Sequence, residues 1–227
     1  MKKTMLPTAI VAVGFLFAAL PTVAAAATPE MDFSHALPVG FSGTFGQANL
    51  TTTGSTLTCK GENHVSGEFE TSKTARISVT YTGCEISGGI KCQNGVNSGE
   101  IKEGPSTLHL VYIKEDVNGT QFVKTPGVLI TTTSTVEFKC SLVTVKETGP
   151  GTLGHLEGPA CGGQSRSASM AFESNSPGVQ TYQKIEGSEL IWDKKADIGG
   201  GASETSSLDA TTTIQYEEAV EGTLTCP

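Results

Sequence analysis

Arginine is nearly missing from this 227-residue chain: Arg76 and Arg166 are the only two, against 23 acidic side chains. Nucleic-acid binding draws on clustered Lys and Arg. A formal net charge of −8 therefore argues against a nucleic-acid partner, and against anionic lipid for the same reason. Tryptophan occurs once and aromatic residues total 6%, so Trp192, Tyr81, Tyr112, Tyr182 and Tyr216 are the few rings available to stack on a sugar. Sustained 3.6-residue periods rich in Ala, Leu, Glu and Lys are absent, which excludes coiled coils and helical bundles. The G-x-S-x-G elbow, the H-E-x-x-H helix, the P-loop and the dinucleotide fingerprint are absent too. Asp is scarce, five residues against 18 Glu, and without an EF-hand-type loop no calcium site is expected.

What the chain has in quantity is small and polar: 27 Gly, 31 Thr and 20 Ser. Threonine is β-branched yet polar and suits the wet face of a strand. The pattern predicts strands near 41–48, 55–60, 64–70, 75–83, 98–103, 107–114, 121–124, 128–140, 142–147, 153–157, 168–174, 179–185, 188–193 and 211–217. Gly88-Gly89, Asn94-Gly95, Asn118-Gly119 and Pro126-Gly127 mark turns between them. Connections this short imply antiparallel pairing. Leu108, Leu110 and Tyr112 alternate with His109, Val111 and Ile113, a strand apolar on both faces and so expected at the centre of a sheet. The stretch 193–209, with Gly199-Gly200-Gly201, is expected to be irregular and mobile. These features predict one all-β domain over residues 28–227, an antiparallel β-sandwich, with an up-and-down β-barrel as the alternative.

The N-terminus reads as an export signal over residues 1–27. Lys2 and Lys3 precede an apolar run from Ala9 to Leu20, and small residues Val23-Ala24-Ala25-Ala26-Ala27 follow. Spanning the hydrocarbon core takes about 20 apolar residues, more than this run supplies. Cleavage takes 15 basic against 23 acidic residues to 13 against 23, a net charge of −10. The C-terminus, Gly222-Thr-Leu-Thr-Cys226-Pro227, has neither an apolar tail nor a basic stop. A secreted protein, exported by the general secretory route and released without stable membrane insertion or cofactor, is expected.

Six cysteines at 59, 84, 92, 140, 161 and 226 in an exported chain read as three disulfides, since no C-x-x-C or His-rich spacing suggests a metal. Cys59 shares a strand face with Leu57, and Cys140 with Val136 and Phe138, so both point inward and are expected to pair. Cys84 and Cys92 flank a Gly-Gly turn and are expected to pair across it. Cys161 and Cys226 pair by elimination.

Candidate chemistry is sparse. His35, His64, His109 and His155 are scattered, and His109, mid-strand among apolar residues, is the candidate for a pocket residue. Glu68 and Glu70 share a strand face, as do the paired carboxylates of glycosidases, although two glutamates on a wet face are the simpler reading. Glu217-Glu218 reads likewise. Asn49-Leu-Thr51 and Asn118-Gly-Thr120 match the N-glycosylation sequon. With no catalytic or cofactor-binding constellation, the expected role is a non-enzymatic extracellular binding or cell-envelope-associated domain, its partner an envelope polymer or an extracellular protein. The alternative is a secreted glycan or peptide hydrolase using His109 with a glutamate.

Val79-Thr-Tyr-Thr-Gly83-Cys84-Glu-Ile-Ser-Gly-Gly-Ile-Lys-Cys92, Asn97-Ser-Gly99-Glu100-Ile101, Leu110-Val-Tyr-Ile113 and Val136-Glu-Phe-Lys-Cys140 together resemble a group of uncharacterised secreted proteins of high-GC Gram-positive bacteria. The similarity covers roughly residues 40–145 and implies exported, disulfide-bonded β structure; it implies no activity.

Overall fold

The computed structural model describes residues 27–117, 121–132, 134–188, 190–217 and 219–227. All but the last residue of the expected export signal, the Asn118-Gly119 turn with its sequon, and Glu218 lie outside the described residues. The molecule is all-β and carries three disulfides. Of the two layouts weighed from the sequence, the strands adopt the barrel.

A short strand β1 (Glu30–Phe33) comes first. The chain then goes up and down eight times, and nearly every pass is broken at mid-height into two segments. The first pass is β2 (Val39–Phe45) into β3 (Ala48–Thr52), and β4 (Thr56–Cys59) returns into β5 (Asn63–Phe69). Next come β6 (Thr74–Tyr81) into β7 (Cys84–Ile86), and β8 (Ile90–Gln93) into β9 (Ile101–Val117). β10 (Gln121–Thr132) runs into β11 (Val136–Cys140), and β12 (Val143–Thr148) into β13 (Thr152–Gly158). After β14 (Gln164–Ser165), β15 (Ser167–Phe172) is followed by an excursion containing the hairpin β16 (Ser174–Ser176) and β17 (Val179–Gln180), and the pass resumes as β18 (Lys194–Ile198). The eighth pass, β19 (Glu204–Tyr216), is unbroken, and β20 (Gly222–Thr225) ends the chain.

The pairings close two rings. A lower ring runs β2-β5-β6-β9-β10-β13-β15-β19 and back to β2. An upper ring runs β3-β4-β7-β8-β11-β12-β18-β19 and back to β3. β19 belongs to both, so the molecule is one tall eight-stranded meander barrel in two levels, every ladder antiparallel. At roughly 3.3 Å per residue, the 13 residues of β19 span about 40 Å.

Alternation decides what fills the barrel. In β11, Val136, Phe138 and Cys140 are buried and face in, while Glu137 and Lys139 are exposed. The lower core gathers Phe41, Val65, Ile77, Leu108, Met170 and Ile214 among others; the upper core gathers Leu50, Leu57, Phe138, Val145 and Ala196 around four cysteines. Apolar residues fill the lumen and polar ones face outward, the reverse of a barrel bathed in lipid. Strands β1, β20 and β14 form a three-stranded sheet that plugs the lower end with Met31 and Leu224, each 1% exposed. Cys161–Cys226 pins that plug, as expected. The excursion 173–193 lays Tyr182, Ile185 and Trp192 over Val111, Leu129 and Leu153 on the outside of the lower level, which is why β9 is apolar on both faces.

Several sequence-based boundaries need correction. The run 128–140 is two strands, because the chain changes level between Thr132 and Val136. The stretch 193–209, expected to be irregular, contains β18 and the first half of β19; its lysines and small residues conceal a strand whose inward face carries Lys194 and Ala196. Conversely, 188–193 holds no described strand, and 179–185 keeps only Val179–Gln180.

Two cysteine pairs also differ from expectation: the disulfides are Cys59–Cys84 and Cys92–Cys140. Cys59 and Cys140 do point inward, at 4% and 2% exposure, but they do not meet. Cys59 lies directly opposite Cys84 on β4 and β7, and Cys92 opposite Cys140 on β8 and β11. Between them, Glu85 faces Lys91 and Ile86 faces Ile90, and continuing that register puts Cys84 opposite Cys92. The four form one row across four strands, with its ends about 14 Å apart at the usual strand spacing, beyond disulfide reach. Bonding neighbours two by two satisfies all four; a Cys84–Cys92 bond strands the ends.

Candidate functional site

The two ends of the barrel differ. The lower is plugged; the upper is a mouth ringed by the turns at 53–55, 87–89, 141–142 and 199–203. At that mouth Leu142 is 98% exposed, and Val143 and Ile90 are 39% and 42% exposed. The β11–β12 turn presents Leu142 because Ser141 takes a positive φ of 57°. Beneath the rim, Leu57, Ile86, Phe138, Val145 and Ile198 line an apolar recess.

A second, smaller cavity at the waist between the levels is lined by charged groups. Lys194 of β18 lies with its Nζ 2.5 Å from Glu147 Oε2 on β12 and 3.6 Å from Glu103 Oε1 on β9. Tyr81 of β6 donates its hydroxyl to Glu103 Oε2 at 3.5 Å. Register places Ser206, 1% exposed, opposite Lys194, with an unpartnered hydroxyl oxygen. Burial raises the Glu147 carboxyl pKa, with Lys194 opposing and Glu103 reinforcing. For Lys194, burial alone depresses the ammonium pKa, but Glu103 and Glu147 outweigh it and hold the value above the ordinary lysine range. Tyr81 is pushed up by burial first and by Glu103 second.

The free space beside these groups is small. About 20 Å³ is open to the centre of a water molecule at the waist and about 50 Å³ under the mouth, room for ordered water and not for a metabolite of ordinary size. Anything larger has to move the wall. Among the described residues no group of three or more His, Cys, Asp or Glu has the arrangement to hold a metal ion.

The residues nominated from sequence lie elsewhere. His109 is half-buried on the outer face of the lower level, its Nε2 3.2 Å from Thr131 Oγ1, and burial lowers its pKa. Among the described residues no carboxylate forms an ion pair with it, so the proposed His109–glutamate couple is not assembled. His155 does lie near an acid, 3.8 Å from Glu157, but it packs edge-on against Tyr182 at 5.4 Å beneath the excursion. Glu68 and Glu70 share Arg76 on an exposed face, at 3.9 and 2.5 Å, the solvated arrangement. Tyr112 is buried and donates to the Pro227 carbonyl; Trp192 belongs to the outer cluster.

Sequence reasoning missed Lys194, Glu103 and Glu147. Glu147 was findable, since Val145 and Glu147 share the buried face of β12 and period-2 alternation flags an inward carboxylate. Lys194 gives no such signal, because Lys-Lys-Ala-Asp-Ile beside Gly199-Gly200-Gly201 lacks the apolar alternation of a strand. No family model matches the chain, and neither a curated protein nor a solved structure does.

Proposed function

We propose that this chain is an exported, non-enzymatic binding protein that engages an apolar group of an envelope polymer or extracellular protein with the upper mouth of its barrel. The observation that carries the reading is the rim. A fully exposed leucine at a tight turn, beside exposed Val143 and Ile90 and above an apolar recess, costs solubility unless something covers it. The opposite end spends a three-stranded sheet on hiding equivalent surface. An export signal and three disulfides agree with an oxidising extracellular setting. The test is retention of the mature protein on the producer's envelope fraction and secreted proteins, compared with Leu142→Asp. Wild type should be retained and the variant weakened on the order of tenfold, the effect of losing one buried leucine contact. Equal retention of both, or retention of neither, overturns the reading.

A further inference from the structure

The cysteine row of the upper level has a property that its two disulfides do not use. Cys59, Cys84, Cys92 and Cys140 stand side by side on β4, β7, β8 and β11, all facing the lumen and all at most 4% exposed. The bonded pairs are the close ones, with Cα atoms 3.8 and 4.1 Å apart, matching positions that lack ladder hydrogen bonds. The amide of Cys84 points away from Cys59, to the Gly99 carbonyl. The β7–β8 register, with Glu85 opposite Lys91, sets Cys84 and Cys92 next to each other on neighbouring strands, and the usual strand spacing of about 4.8 Å lies within disulfide reach. Each inner cysteine has a potential sulfur partner on both sides.

We infer that this row is a thiol–disulfide exchange site that takes a dithiol reductant and converts the β7–β8 hairpin from a wall segment into a flap. The dithiol reduces Cys59–Cys84, is itself oxidised to its disulfide, and leaves two thiols. Cys84 loses its proton and its sulfur attacks Cys92 Sγ; the Cys84–Cys92 bond forms, the Cys92–Cys140 bond breaks, and Cys140 leaves as thiolate and takes up a proton. One disulfide remains, and the outer cysteines are free. The consequence lies in the seams. β7 meets β4 through two residue pairs, and β8 meets β11 through two, so the disulfides carry much of the closure there. After exchange both seams lose their covalent bond, while the hairpin gains one within itself. The hairpin forms one wall of the apolar recess, through Ile86, and its release supplies the space that the closed barrel lacks. The exchange site stands on strand register alone and does not depend on the binding reading.

Mature wild-type protein treated with less than one equivalent of dithiothreitol, quenched with N-ethylmaleimide and mapped without reduction, decides the matter. The expected species carries label on Cys59 and Cys140 with Cys84 joined to Cys92. Label confined to Cys59 with Cys84, to Cys92 with Cys140, or to Cys161 with Cys226, the disulfide outside the row, overturns the inference. In Cys59→Ser the single free thiol of the row should divide between Cys84 and Cys140, and label on Cys84 alone counts against exchange; should this variant not fold, the wild-type map decides by itself. Amide exchange over residues 85–91 should quicken on the order of tenfold or more in the exchanged form while 108–113 stay protected. Unchanged exchange there refutes the flap.

Discussion

Lys194 shows how one side chain sets the terms for its surroundings. Its ammonium is the cation between two carboxylates in a space with room for little more than a water, and its burial is tolerated because Glu147 and Glu103 stand within 2.5 and 3.6 Å. Removing one partner from such a group leaves an uncompensated buried charge, at a cost of about 3–5 kcal/mol, whereas replacing the whole set with apolar or neutral groups is often neutral. Lys194→Ala should therefore lower the urea unfolding free energy by about that amount, and combining Lys194→Met with Glu147→Leu and Glu103→Gln should recover more than half of it. A single variant as stable as wild type means the pair is hydrated and worth little.

At the scale of elements, the excursion between β15 and β18 is held to the barrel by hydrogen bonds, from Gln180 to Leu208 and from Glu186 to Tyr112, and by little apolar contact. It rests on an outer cluster of three buried residues, Val111, Leu129 and Leu153, against the larger set that fills the barrel. Small apolar contact area gives low local stability. Trp192 is the chain's one tryptophan and lies in that contact, so its emission reports docking of the excursion. In a urea titration the red shift of Trp192 should precede the loss of far-UV circular dichroism. Coincident transitions imply instead that the excursion and barrel unfold as one unit. β19 is the opposite case: it contributes to both rings and pairs with β15, β2, β18 and β3, so neither level closes without it.

At the scale of the whole molecule, both levels depend on buried groups whose pKa is raised on folding. Lys194 and Tyr81 lie at the waist, and Tyr216, raised by burial, lies in the lower core. A group whose folded pKa lies above its unfolded value lends stability that is complete below the unfolded value and is lost as pH rises through the folded one. All three unfolded values lie near 10 to 10.5. The thermal midpoint should therefore fall steadily from about pH 10 upward, and tyrosine ionisation, followed by absorbance, should arrive with unfolding for the buried rings. A midpoint level to pH 12 runs against this account. The all-β class was legible in the sequence because threonine faces, glycine turns and period-2 alternation are local, as were the inward Cys59 and Cys140 and the both-faces-apolar centre of β9. Closure into a barrel was not, since it depends on β19 meeting β2 and β3, strands more than 150 residues earlier in the chain. The cysteine partners and the Lys194 cluster were hidden for the same reason. Alternation says which way a side chain points, but only the register of strands distant in sequence says what it faces.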